Sequence, residues 1–299
     1  MKPGIAAPPA QEEPGKAIGV ICLGVFLLVL NDSCAKWLTE HYPVFQILFL
    51  RGLVSLPVII FLLWRFGGGW QAFHTKHLGL HAIRGVLLLA AAFTFFSGLV
   101  YLPIAEATCL VFAAPLLITA LSVPLLGEHV GWRRWTSVLV GFVGVLIVVR
   151  PGADTFQLAA LFPLATAVLY ALLMISSRWI RSEESIWNLL FFLVLFPFIY
   201  GAPFAFWVWQ PFQWEHLPIV LAQSFFGNMG MVLISQSFRM APASVVAPFD
   251  YTALVWATLL GWLIWGELPD GWTYAGAAVI IASGIYIVLR DGRKKAAQA

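Results

Sequence analysis

The chain has 299 residues, 61% of them hydrophobic and 10% charged, with a formal net charge of +3 and a mean hydropathy of +0.89. A soluble domain of this length could not hide so much apolar surface, because its exterior must face water. A soluble enzyme, a nucleic-acid binder and a disordered chain are therefore excluded, and the expected solvent is lipid; the small positive charge fits basic loops beside a bilayer and needs no nucleic-acid partner.

A helix needs about 20 mostly apolar residues to cross the hydrocarbon layer. Ten such runs follow one another at 17–38, 44–64, 78–101, 104–125, 135–149, 157–178, 187–209, 216–238, 243–265 and 272–289. They are longer than β-barrel strands and apolar all round rather than alternating. The expected fold is an all-α integral membrane protein of ten transmembrane helices. Residues 1–16, rich in Pro, Ala and Glu, read as a disordered cytoplasmic tail, and 291–299 as a basic cytoplasmic tail. The first run carries Asn31, Asp32 and Lys36 without a small-residue cleavage pattern, so it reads as an anchor rather than a cleavable signal. Connections are short, Thr39–Pro43, Leu102–Pro103, Arg150–Phe156 and Gly266–Gly271 among them, and leave no room for a soluble domain. Segments on the N-terminal side carry Lys2, Lys16, Arg65, Lys76, Arg133, Arg134, Arg178, Arg181, Arg239, Arg290, Arg293, Lys294 and Lys295, against Arg150 on the other side. That bias puts both termini in the cytoplasm.

Ionisable groups inside spans are expensive and are functional candidates by default. In the first two runs Asp32 and Arg51 lie at matching depths, with Lys36 one turn beyond Asp32. They read as an ion cluster near the outer surface, either structural or an outer gate. In the third run His81 reads as a packing residue, and Arg84 as a side chain that snorkels toward the cytoplasm. Phe93, Phe96 and Tyr101 approach one face of that run. Glu106 opens the fourth run, where the helix dipole favours an anion. The sixth offers Tyr170, Met174 and Ser177 at helical spacing, and the eighth Gln223, Asn228, Ser235 and Gln236. In the ninth, Asp250 sits about 10 Å deep, just after Pro248, whose missing N–H frees a carbonyl and can break the helix. Asp250 and Tyr251 form the leading solute-site candidate, with Phe93, Phe96, Tyr101, Tyr170, Met174, Ser177, Asn228 and Gln236 as further cavity wall. Asp250 has two readings: a partner for a solute ammonium or proton, and a structural hydrogen bond. Gly85, Ala90–Ala92, Gly141, Gly144, Gly276 and Gly284 read as close-packing positions. Cys22, Cys34 and Cys109 lie in apolar runs without CxxC spacing, so neither a disulfide framework nor a metal site is expected.

The chain repeats itself. Leu102-Pro103 through Gly127-Glu128 parallels Ala241-Pro242 through Gly266-Glu267, at an offset of 139 (103 to 242, 127 to 266). Lys36-Trp37 parallels Arg178-Trp179 at an offset of 142 (36 to 178). The repeats are expected at 17–150 and 151–290, five helices each. Because five is odd, the second copy enters from the opposite side. Two such inverted repeats suit alternating access around a shared midplane site.

The segments LPIAEATCLVFAAPLLITALSVPLLGE (102–128), GVLIVVRPG (144–152) and APASVVAPFDYTALVWATLLGWLIWGE (241–267) resemble the EamA-type repeats of the drug/metabolite transporter superfamily. The resemblance covers nearly the whole chain. It implies a ten-helix permease of bacterial inner membranes, often an exporter of amino acids or other small metabolites, and is most similar to the branch that exports aromatic and other neutral amino acids.

The expected function is secondary transport, by export or facilitated diffusion, of small neutral or zwitterionic metabolites, most readily amino acids including aromatic ones. Few midplane charges suit such solutes better than polyanions. The alternative is efflux of a lipophilic cation with Asp250 as counter-ion. An enzyme is not expected, since Walker A, HExxH and GxSxG patterns are absent. No cofactor is expected, and the partners are a small-molecule solute and the bilayer, with the chain acting as a monomer. For proton coupling Asp250 and Asp32 are the available carboxylates, whereas a facilitator needs none.

Overall fold

The structure, a computed structural model, describes residues 14–66, 73–127, 130–150, 158–179, 186–241 and 243–296. Most of the expected N-terminal tail (1–13), the last residues (297–299) and the connection 151–157 lie outside the described residues. All regular structure among the described residues is helical: α1 (Pro14–Thr39), α2 (Val44–Phe66), α3 (Leu78–Leu99), α4 (Ile104–Val111), α5 (Ala114–Leu126), α6 (Trp132–Val149), α7 (Leu161–Ser176), α8 (Ile186–Trp207), α9 (Leu217–Met240), α10 (Ala243–Val246), α11 (Thr252–Trp265) and α12 (Gly271–Ala296). Each of the ten apolar runs is helical, and eight of the described helices are long and apolar enough to cross a bilayer. The fifth run starts at Trp132 rather than 135. α12 continues through Ala296, so 291–296 extends the last helix instead of forming a tail.

Two spans are not continuous. The fourth is split into α4 and α5, and the ninth into α10, a 3-10 turn at Ala247–Tyr251 and α11. The ninth breaks around Pro248, as its sequence leads one to expect. The fourth breaks at Phe112–Ala113, where no break is expected. Its cause is Pro115, which has no N–H for the carbonyl of Val111 four residues earlier. Both second segments end on a glycine in the left-handed region, Gly127 (φ 67°) and Gly266 (φ 68°). That conformation costs glycine little and caps the last carbonyls.

The most extensive pairings between the halves have counterparts with the repeats exchanged. α1 packs along α9 and α7 along α3, α2 packs along α8, α6 along α12, and α4 against α11. In repeat positions this is first with third twice, second with second, fifth with fifth and fourth with fourth. That is the pattern of a two-fold axis between the halves.

Lipid supplies no hydrophobic drive for such pairing, so close backbone approach has to supply dispersion contact instead. A Cβ on Gly24 would sit 3.0 Å from the Gly230 carbonyl, and one on Gly230 would sit 2.8 Å from the Gly24 carbonyl. Gly144 and Gly276 meet in the same way across α6 and α12, at 2.9 and 2.6 Å.

Apolar clusters differ between the two membrane faces. Toward the face that carries Thr39, Leu102 and Glu267, one cluster of fully buried Leu38, Ile47, Leu99, Leu102 and Ile104 joins helices of both repeats, and a second, with Val145, Val148, Ala160, Ala277 and Ile280, joins α6, α12 and the start of the second repeat. Toward the opposite face the clusters are separate: Ala17, Ile21, Val25 and Val246 in one, Ile59, Leu63, Phe191 and Phe192 in another, Leu116 and Val138 in a third.

Two predictions follow from this packing. Gly276→Val pushes a side chain into Val148 and against the Gly144 carbonyl; overpacking of this kind costs about 1–3 kcal/mol, read as a lower melting temperature of the purified protein in detergent. At the start of α12, Asp270 accepts hydrogen bonds from the Thr273 N–H (2.8 Å) and hydroxyl (2.7 Å) and pairs with Arg150 at 2.5 Å. Partial burial pushes its carboxyl up, but the Thr273 hydrogen bonds and the Arg150 charge outweigh this and hold it below its ordinary value of 3.8. The folded carboxyl is the stronger acid, so its contribution is present above the unfolded value and fades as pH falls through the folded one. Asp270→Asn should lower stability by less than about 1 kcal/mol at neutral pH, since the pair is exposed. In melts across a pH series, the gap to the parent protein should close in acid.

Candidate functional site

The breaks in spans four and nine meet. Phe112 and Tyr251 are equivalent under the 139-residue offset (112 to 251), and their rings touch at 4.9 Å, edge to face at 72°. Equivalent residues of two inverted repeats can touch each other only on the axis that relates them, so this contact lies on that axis. The Tyr251 hydroxyl lies against Gly284, where a Cβ would collide with it. Gly284, read from sequence as a packing position, thus makes room for a central phenol.

Asp250 precedes Tyr251 in the 3-10 turn. Protein atoms surround it densely, yet its side chain is open to a water-sized sphere. A carboxylate with both properties in mid-span lies on the wall of an internal cavity rather than against lipid. Its charge reaches the phenols of Tyr251 and Tyr170. Tyr170, from α7 of the second repeat, is itself 40% exposed though enclosed. Asp250, Tyr251, Tyr170 and Phe112 thus form one group, a carboxylate among aromatic rings beside the freed carbonyls of two broken helices. A carboxylate beside ring faces and phenol hydroxyls favours a solute that is cationic at one point and planar or apolar elsewhere. Phe112 is the residue that sequence reading missed; its match to Tyr251 under the repeat was the available signal.

The other candidates disperse. Met174 is half-buried one turn from Tyr170. Ser177 is exposed at the end of α7, and its hydroxyl turns back to the Met174 carbonyl at 2.5 Å. Phe93 stacks on Phe45 at 4.4 Å, and Phe45 on Phe204 at 4.9 Å, forming a packing ladder between α2, α3 and α8. Phe96 is buried in the apolar cluster of the Glu267 face, so in this conformation it touches helices and not a cavity. Tyr101 lies at the end of the third span, 63% exposed and parallel to Phe162. Asn228 donates to the Ser55 hydroxyl at 3.0 Å and ties α9 to α2. Gln236 is exposed on α9. His81 stacks on Phe192 at 4.6 Å, consistent with packing. Arg84 does not snorkel: it is buried and donates to the Leu173 carbonyl (3.3 Å) and the Ser176 hydroxyl (3.4 Å) at the end of α7, because the unpaired carbonyls of a helix C-terminus offer a nearer partner than water.

Of the outer cluster, Lys36 takes a partner from the other repeat. It pairs with Glu267 at 2.5 Å, donates to the Leu102 carbonyl at 3.4 Å and lies 5.0 Å from the Trp265 ring. Trp265 in turn donates to Glu40. The ends of spans one, three and nine are thereby locked together. Beside them Gln46 exchanges two hydrogen bonds with the backbone of Gln210 (2.8 and 2.9 Å), and Tyr42 bonds His216 at 2.9 Å. Asp32 and Arg51 remain below this layer, near enough for their charges to act on each other. Among the described residues there is no cluster of three or more His, Cys, Asp or Glu able to hold a metal.

Comparison with known proteins agrees with this architecture. The profile of the EamA-like transporter family matches residues 15–150 and again 157–290. The chain is 29% identical to the S-adenosylmethionine uptake transporter of Rickettsia bellii, over 91% of this chain and 94% of that one. It is 27% identical to the riboflavin transporter of Vibrio cholerae (93% and 94% covered) and 24% to the pseudopaline exporter CntI of Pseudomonas aeruginosa (88% and 92%). A solved crystal structure shares the fold with a TM-score of 0.62 at 21% identity, over 93% of this chain and 98% of the other. A two-fold repeat with broken fourth spans, matched twice by one profile and along its length by small-molecule carriers, leaves one assignment: the chain is a multi-pass membrane protein that belongs to the EamA-like transporter family.

Proposed function

We propose that the protein carries a small zwitterionic or cationic metabolite of the amino-acid class, aromatic members included, across the bacterial inner membrane by alternating access. The observation that carries this reading is the Asp250 carboxylate, accessible inside a broken span, with the Tyr170 and Tyr251 phenols in reach of its charge and Phe112 against Tyr251. An ammonium or sulfonium group suits the carboxylate, and a planar body suits the rings. The relatives fit this range in part: one takes up S-adenosylmethionine, a sulfonium that carries an amino-acid head, another transports riboflavin, and a third exports pseudopaline.

With the N-terminus in the cytoplasm, as the distribution of Lys and Arg supports, the Glu267 face is periplasmic. The Lys36–Glu267 pair and the apolar cluster beneath it then form an outer gate that is closed here. Lys36 acts in this gate through Glu267 rather than through Asp32. Exchange of the equivalent contacts between the repeats supplies the outward-open state. A second reading, efflux of a lipophilic cation, draws on the same carboxylate and rings.

The test is flux into liposomes containing the purified protein, with labelled amino acids, S-adenosylmethionine, riboflavin and a lipophilic cation. Amino-acid or S-adenosylmethionine flux should exceed that of empty liposomes and fall about tenfold or more in Asp250→Asn, since a charge-assisted contact is worth about 1.5–3 kcal/mol. Loss of cation flux alone, with amino-acid flux spared, selects the efflux reading. No flux of any solute overturns transport. Gating has its own readout. In a Cys22→Ser, Cys109→Ser background, Lys36→Met should make Cys34 react several-fold faster with a membrane-impermeant maleimide added outside; unchanged labelling overturns the gate.

A further inference from the structure

Asp32 and Arg51 pose a problem that neither packing nor the gate solves. Each lies about 10 Å inside the end of its helix, within the apolar part of spans one and two. Two opposite charges at that depth ordinarily close into a direct pair, because each is costly to leave alone in a medium of low dielectric. Here they do not. Their charges act on each other, but the ion pairs within 4.0 Å among the described residues are Lys36–Glu267 and Arg150–Asp270. The Arg51 guanidinium has no hydrogen bond to a protein group among the described residues. Asp32 has one, from the Asn31 amide at 2.9 Å. Both side chains are densely surrounded yet partly open to a water-sized sphere, so they face an interior space and not lipid.

The surroundings of the pair are also incomplete. The Asn31 amide oxygen is buried without a partner, and so are both polar atoms of Gln223, which is 0% exposed. Gly227 of α9 closes the floor. A Cβ there would lie 2.7 Å from the Asn31 oxygen and 3.0 Å from an Arg51 guanidinium nitrogen, so the absence of a side chain keeps the guanidinium in place. The space lies one helical turn beneath Lys36, directly under the layer that locks the Glu267 face.

We infer that this space reads the head group of an α-amino acid, with Arg51 taking the α-carboxylate and Asp32 the α-ammonium. The inference rests on the transport reading above and narrows its substrate class. A zwitterionic head carries a positive and a negative group side by side, the inverse of the pair that the protein holds apart. A guanidinium receives a carboxylate through two parallel N–H donors, and Asp32 keeps an oxygen for the ammonium beside the one that Asn31 occupies. The unpartnered Asn31 oxygen and Gln223 amide complete the set. The head group occurs both in free amino acids and at one end of S-adenosylmethionine; the site recognises what they share.

The test uses the full chain in liposomes with labelled probes that differ only in the head. L-phenylalanine carries both charges, phenethylamine lacks the carboxylate, and phenylpropionate lacks the ammonium. S-adenosylmethionine and its decarboxylated form make the second arm, since the latter keeps the sulfonium and lacks only the carboxylate of the head. The parent protein should favour the head-bearing member of at least one arm about tenfold or more in KM; the arm that shows it separates a free amino acid from the nucleoside conjugate. Arg51→Gln should abolish the preference for phenylalanine over phenethylamine, and Asp32→Asn that over phenylpropionate. Gly227→Ala leaves both charges intact and displaces the guanidinium; it should raise the KM for phenylalanine several-fold and leave that for phenethylamine unchanged. That variant keeps the test decisive if Arg51→Gln fails to fold. Equal transport with and without the head, or a preference that survives in the Gly227 and Asp32 variants, overturns the inference and leaves a structural charge pair, while transport stands. No flux of any probe, riboflavin included, overturns the transport reading and this one with it.

Discussion

Hydrocarbon offers no hydrogen-bond partner, so a broken helix can exist at membrane depth only where protein encloses it or water reaches it. That constraint governs this molecule. Two of its spans are broken, and both breaks are brought to one place, where Phe112 meets Tyr251. The freed carbonyls, the Asp250 carboxylate and the central phenols are therefore gathered in the interior rather than spread over the lipid surface. The two-fold pairing of the helices is what gathers them. A backbone irregularity occurs once in each half at corresponding positions, and superposing the two on an axis makes a single polar centre from two local defects.

The pairing itself depends on small residues. The closest approaches, Gly24 with Gly230 and Gly144 with Gly276, occur between helices of opposite repeats. At these points the halves are held by backbone contact, which tolerates sliding better than interlocked side chains do. Long-range polar contacts tie helices at both faces: Lys36, Gln46 and Tyr42 reach across at the Glu267 face, and Ser237 to Ala17, Asn188 to His74 and Arg84 to Leu173 at the other. The Lys36–Glu267 ion pair joins the two repeats at the first of these faces. On the transport reading proposed above, a molecule whose halves share one architecture has two related arrangements. Similar halves make the second arrangement comparable in energy, and a solute that binds the two differently shifts the balance.

The polar interior has two levels. Asp250 and its aromatic neighbours lie at the axis. Asp32, Arg51, Asn31 and Gln223 lie nearer the locked face. Arg84 donates to the C-terminal end of α7. Arg51 is buried at a similar cost yet makes no such bond, and that contrast within one chain sets the two residues apart.

Composition and periodicity alone determined that the chain is helical and embedded in lipid, and approximately where each span runs, because transfer of an apolar run into hydrocarbon is a local property of about 20 residues. The duplication was equally legible, since Pro103 and Pro242, Gly127 and Gly266 keep one spacing. The break near Asp250 could be read from Pro248. Tertiary structure alone decided the rest. Lys36 stands one turn from Asp32 in sequence, but its partner, Glu267, comes from the other repeat. Phe93 and Phe96 share the aromatic character of Tyr170 and Tyr251, yet they pack between helices while the tyrosines face the centre. Spacing along a helix fixes which side chains share a face. It does not say which face meets the axis, and that depends on how two inverted copies settle against each other.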